Sequence, residues 1–179
     1  MADVRTIVGV ELVKLGRWEA SNAVFRVTAA DLRSVVEAHQ AGITRKPVIK
    51  IGHDDDRVND PAMGYVDHLR LSGDGTTLLG DFVNVPAMLA ELMPLAYPER
   101  SGEWFMDYLD QATGKTWPMV LDAVALLGAD GPAVTSLKSF QDVADLYGVM
   151  AARRRTVVMA AARRRRAQRL SNSHPIQKG

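Results

Sequence analysis

The 179-residue sequence contains no cysteine, which excludes disulfides, thiolate nucleophiles and cysteine zinc sites and fits a reducing compartment. No apolar run approaches the roughly 20 residues that a bilayer span needs, so no membrane helix is expected. The N-terminus carries Asp3 and Arg5 and lacks a long apolar stretch ahead of a small-residue cleavage site, so it does not read as a signal peptide. Aromatic residues are scarce at 6%. The three tryptophans, Trp18, Trp104 and Trp117, are spread along the chain, which suits a core or a substrate groove better than a platform for stacking bases. Residues 151–179 contain no acid at all.

That last absence organises the chain. Of 22 basic residues, eight arginines and Lys178 lie in 151–179, leaving 13 basic against 21 acidic residues before them and a net charge of −8 over 1–150. The formal +1 of the whole chain therefore conceals an acidic domain followed by a basic, Ala/Arg-rich tail, helical or disordered. A net-negative body repels phosphate, so it is not expected to bind DNA non-specifically. The tail suits an acidic surface. Composition, with 47% hydrophobic and 24% charged residues, is that of a globular protein, and the length allows one ordinary domain with an appendage.

Hydrophobic periodicity outlines the elements. Thr6 to Leu15 reads as a strand ended by a turn at Gly16-Arg17, and Ala23 to Val27 as a short one. Thr28-Ala-Ala-Asp31 is a variant capping box that opens a helix with Leu32, Val35, Val36 and His39 on one face, closed by Gly42. Pro47 to Ile51 alternates Val48 and Lys50 with Ile49 and Ile51. Met63 to Leu71 and Thr77 to Val83 flank the turn Ser72-Gly73-Asp74-Gly75. Pro86 to Leu95 predicts a second helix with Met88, Leu89, Leu92 and Leu95 on one side, Ser101 to Asp110 and Met119 to Leu127 predict strands, and Phe140 to Met150 predicts a third helix. Six or seven strands without regular βαβ alternation indicate a mainly antiparallel α+β domain.

Several residues carry chemistry. His53 follows an apolar strand in a glycine-containing turn beside Asp54, Asp55 and Asp56, a setting for a general base, for an ordinary loop histidine, or for metal binding by the cluster, although the loop lacks the ligand spacing of a calcium hand. Ser101 stands at a loop-to-strand junction in Tyr97-Pro-Glu-Arg-Ser-Gly-Glu103. A serine needs a base to become a nucleophile, and Gly102 would let a substrate carbonyl approach the backbone; alternatively it is a turn serine. Asp122 is the one acid in the apolar run Met119 to Leu127, so it either pairs with a partner such as a histidine or points to solvent. His68 lies mid-strand and His39 on the first helix.

Taken in order, these segments resemble the head maturation proteases of tailed phages, especially the Mu-like prophage group. The matching pieces are Val13 to Thr28 with the Ala-Ala-Asp-Leu that follows, Pro47 to His53, Pro61 to Val66, Tyr97 to Glu103, and Leu121 to Gly128 leading to Pro132-Ala-Val134. The resemblance implies a serine endopeptidase related to the herpesvirus assemblins, with a small β-barrel and surrounding helices over 1–150 and a basic tail over 151–179. By position, His53 matches the family histidine and Ser101 the nucleophile. Asp122 falls where related phage enzymes have an acid, and His68 is the alternative third member because herpesvirus enzymes use a second histidine. The implied substrates are scaffold and major capsid precursors inside the immature head in the host cytoplasm, with self-cleavage and homo-oligomers within the prohead; nucleic acid is not required, and no cofactor, metal or membrane is expected. A catalytically inactive scaffold or assembly protein of the same fold is the alternative.

Overall fold

Thr28 opens the first helix, α1 (Ala29–Gln40), through the expected capping box: its side chain accepts from the Asp31 amide while Asp31 Oδ2 accepts from the Thr28 amide at 2.7 Å. This is seen in a computed structural model that describes residues 3–19, 24–53, 61–129 and 132–140. The chain divides into two compact units, Met1–Gln141 and Asp142–Gly179. Everything described belongs to the first. The predicted third helix after Phe140, the basic tail, and Asp54 to Asp56 lie outside the described residues.

The remaining elements are β1 (Val4–Lys14), β2 (Gly16–Glu19), β3 (Val24–Val27), β4 (Val48–Ile51), β5 (Tyr65–Leu71), β6 (Thr77–Pro86), α2 (Ala87–Ala96), β7 (Glu99–Leu109) and β8 (Thr116–Leu127). Six strands form one mixed sheet in the order β1-β6-β5-β4-β8-β7, in which β4 and β8 run parallel and the other pairs antiparallel. Strands β2 and β3 form a separate hairpin. The Gly16-Arg17 turn expected from sequence is thus the start of a strand. Trp18 decides this: its indole donates to Lys14 O at 2.8 Å and lies 3.2 Å from where a Gly16 side chain would sit.

The core gathers Val10, Leu12, Leu32, Val35, Ile49, Val66, Phe82, Met93, Val124 and Leu126, all at most 1% exposed. Burying such side chains contributes roughly 1.5–3 kcal/mol each. Helix α1 is tied to β8 by Ser34, whose hydroxyl donates to Met119 O at 2.9 Å. In α2 the inward residues are Leu89 and Met93, at i and i+4, whereas Met88, Leu92 and Leu95 are exposed. The apolar side expected for this helix is therefore split between core and surface.

The barrel does not form. Strands β1 and β7 are the two edges of an open sheet, and no backbone ladder joins them. The gap between them is filled by residues 136–140. Lys14 Nζ donates to Ser136 O at 2.7 Å, the Lys138 amide to Glu11 Oε2 at 2.9 Å, and the Phe140 amide to Pro98 O at 2.9 Å. Arg100, 1% exposed, crosses the same seam with Nε on Glu11 O at 2.7 Å and Nη1 on Lys138 O at 2.6 Å, its guanidinium 4.8 Å from the Phe140 ring centroid. A charged side chain and an irregular segment satisfy groups that closure would have paired strand to strand. Burial lowers the Arg100 pKa to about 10, against the opposing charges of Glu99 and Glu11, so the guanidinium stays protonated at neutral pH.

Candidate functional site

The parallel step between β4 and β8 aligns three strands in rows. Lys50, Ala125 and Ser101 form one row, and Val48, Ala123 and Glu103 the next. Side chains paired across strands share a face, so Ser101 and Glu103 project from β7 on the face that carries Lys50 on β4. Between them β8 presents only the methyls of Ala123 and Ala125. Its larger residues, Val124 and Leu126, belong to the other face and the core. This low lane lets long polar side chains from β4 and β7 meet over β8. Lys50 Nζ lies 2.8 Å from Glu103 Oε1.

His53 reaches the same carboxylate. Gly52, with φ of +70°, turns the chain after β4 while its amide still donates to Leu126 O at 3.0 Å; only glycine adopts that backbone without strain. The half-exposed imidazole then places Nδ1 2.8 Å from Glu103 Oε1. Burial pushes the Glu103 carboxyl upward, but hydrogen bonds from His53 and Lys50 and the Lys50 charge outweigh it and hold the group below its ordinary value. Glu103 is therefore ionised and can only accept. It follows that Nδ1 carries the proton and that the basic lone pair of neutral His53 is on Nε2. A histidine held this way is oriented for proton transfer at Nε2.

Ser101 lies two residues from Glu103 on the same face, about 7 Å along the strand. Its hydroxyl makes no hydrogen bond among the described residues, to His53 included. Gly102 does not open a path to the backbone, because a Cβ there would fall 2.3 Å from Trp104 Cζ2. The indole of Trp104 occupies that space on the core side of β7.

Asp122 is not brought to His53. Its Oδ1 lies 3.7 Å from Arg45 Nη2, a solvent-screened pair of small worth. It sits at an irregularity in the β7–β8 register, between Ala123, paired with Glu103, and Leu121, paired with Trp104. His68 is engaged elsewhere: at a bulge of β5 with φ of +49°, its Nδ1 lies 3.2 Å from Asp81 Oδ2, on an aspartate that also accepts from Arg70 and from the Gly9 amide. His39 pairs with Asp67. The sequence reading therefore missed Glu103 and Lys50. Strand alternation could have found both, since Glu103 is i+2 from Ser101 and Lys50 falls on the polar face of its strand. No family model, curated protein or solved structure matches the chain.

Proposed function

We propose that the chain is a serine endopeptidase of the phage head-maturation kind, with Ser101 as nucleophile, His53 as base and Glu103 as the acid that orients it. The observation that supports this most directly is the hydrogen bond between His53 Nδ1 and Glu103, whose carboxylate shares a sheet face with Ser101, while Nε2 has no partner among the described residues. In the reaction, Ser101 Oγ attacks the scissile carbonyl carbon and its proton passes to Nε2. As the tetrahedral intermediate collapses, the carbon–nitrogen bond breaks and Nε2 returns the proton to the leaving amine; water then hydrolyses the acyl-serine by the reverse path. Glu103 stabilises the transient imidazolium, and Lys50 balances the carboxylate. The role in trimming scaffold and capsid precursors rests on the sequence resemblance, and the basic tail would serve partner contacts there.

A second reading, an inactive assembly protein, is favoured by a Ser101 hydroxyl that has no hydrogen bond among the described residues and by the open sheet where the resemblance implies a barrel. A fluorophosphonate probe separates the two without knowledge of the substrate. The peptidase reading expects one adduct, mapped by mass spectrometry to Ser101, that disappears in His53→Ala; an unlabelled Ser101, or equal labelling in His53→Ala, supports the inactive reading. Incubation with cognate scaffold, comparing wild type with Ser101→Ala, then tests the substrate.

A further inference from the structure

The β2–β3 hairpin carries a pair of cations that nothing balances among the described residues. Arg17 and Arg26 are direct cross-strand partners, so their Cα atoms are about 4.5–5.5 Å apart and their side chains share a face. Like charges in that position are destabilising. Several other basic side chains in or beside strands find carboxylates, as Lys14 does with Glu11, Lys46 with Asp67, Lys50 with Glu103 and Arg70 with Asp81. Arg17 and Arg26 have neither an ion pair nor a side-chain hydrogen bond among the described residues. Glu19, the acid on the same face, stands opposite Val24 instead.

The pair is held on a fixed base and borders a cavity. The opposite face of the hairpin joins Trp18 to Phe25, both packed against the core, and the Trp18 indole is fixed to Lys14 O. A cavity of about 430 Å³ is lined by Gly16, Arg17, Val24, Phe25 and Arg26, a volume in the range of sites that take small ligands or a few side chains. Both arginines thus border the same space as the apolar residues Val24 and Phe25. That combination selects a carboxylate carried next to an apolar group. A long polyanion is disfavoured, because residues 1–150 carry a net charge of −8 and beyond about 8 Å only the screened repulsion of the body would act on it.

We propose that the Arg17–Arg26 pair is a binding site for an acidic peptide segment, with a glutamate or aspartate carboxylate held between the two guanidinium forks and a neighbouring apolar side chain on Val24, which shares their face. Two guanidinium groups can together donate several charge-assisted hydrogen bonds to one carboxylate. The site stands independently of the peptidase reading, since none of its residues belongs to the Ser101 face.

The test is an NMR titration of the ¹⁵N-labelled full chain, following arginine Nε–H resonances. The probes are a blocked peptide of alternating glutamate and leucine, its glutamine counterpart, and inorganic phosphate. The expected result is a saturable shift of the Arg17 and Arg26 resonances with the glutamate peptide alone, weakened about tenfold in Arg26→Gln and in Arg17→Gln, and weakened further by salt. Both positions are exposed, so the variants should fold, which the same spectra report. Equal shifts with the glutamine peptide, unchanged affinity in either variant, or a response to phosphate but not to the peptide would each overturn the proposal.

Discussion

Replacing Gly102 by alanine tests whether this residue serves packing or substrate access. In a strand interior the change should by itself stabilise the protein by about 0.5–1 kcal/mol, because alanine loses less backbone freedom on folding. Here the new Cβ would lie 2.3 Å from Trp104 Cζ2, 2.6 Å from Cε2 and 2.9 Å from Nε1, distances that require the ring to move. Trp104 packs against the core, and forcing such a ring aside costs about 1–3 kcal/mol. The overlap wins, and Gly102→Ala should lose about 0.5–2 kcal/mol in urea denaturation. Because the cost arises from one contact, it should shrink in a Trp104→Leu background, giving a coupling of at least about 0.5 kcal/mol in the double-mutant cycle. A variant as stable as the wild type, or a loss that ignores Trp104, would refute the packing argument. Intact stability with lost cleavage would instead restore glycine as an opening for substrate.

Three further outcomes follow from the same geometry. Arg100→Met removes two charge-assisted hydrogen bonds across the seam, partly offset because the buried Nη2, which has no partner among the described residues, no longer needs one; unfolding free energy should fall by about 2–4 kcal/mol, and a fall below about 1 kcal/mol would mean that 136–140 holds the edges without it. Glu103→Gln should cut fluorophosphonate labelling of Ser101 by about 10²–10⁴-fold while Asp122→Asn changes it less than about threefold; the reverse ranking returns the orienting role to Asp122. Asp67 is held well below its ordinary value, chiefly by the hydrogen bond from Lys46 against the opposing effect of burial, and Glu103 is lowered as well. Such groups contribute stability that is present above the unfolded-state pKa, about 4, and lost as pH falls through the folded one. Stability should therefore decline below about pH 4, with a shallower decline in Asp67→Asn; a chain that gains stability on acidification would contradict these pairings.

Local signals in the sequence were legible where one short-range rule governs the outcome. The Thr28–Asp31 capping box and the Ser72–Gly75 turn between β5 and β6 rest on contacts within a few residues, and β4, β7 and β8 announce themselves by runs of apolar or alternating residues. Sheet closure does not. It depends on whether β1 and β7 pair strand to strand, and what bridges the seam in place of a ladder is Arg100 on β7, reaching Glu11, 89 residues away, and Lys138, 38 residues away. The β2 strand was hidden for a similar reason, since Gly16-Arg17 has turn composition and becomes a strand through the pairing of Trp18 with Phe25. In the candidate site, Asp122 drew notice as an acid in an apolar run. Glu103 drew less because acids are ordinary on a half-exposed strand, and its meaning comes from lying beside His53, 50 residues earlier.

The two faces of β7 explain why an edge strand can hold a site at all. An edge strand has only one ladder, here with β8, and would by itself be free to bend away from the sheet. Residues 100, 102 and 104 alternate onto the core side, where Arg100 is bonded across the seam and Trp104 closes over Gly102. The intervening Ser101 and Glu103 are thereby fixed from behind. Their spacing is set by the strand rise, and the partners of Glu103 arrive over the alanines of β8 from β4 and the turn that follows it, β4 being anchored in the middle of the sheet. Polar groups needed at fixed separation are best supplied by rigid elements whose backs are packed. The alternation Arg-Ser-Gly-Glu-Trp over 100–104 places structural and polar residues on opposite faces of one strand, and that division links the open sheet to the His53–Glu103 pair.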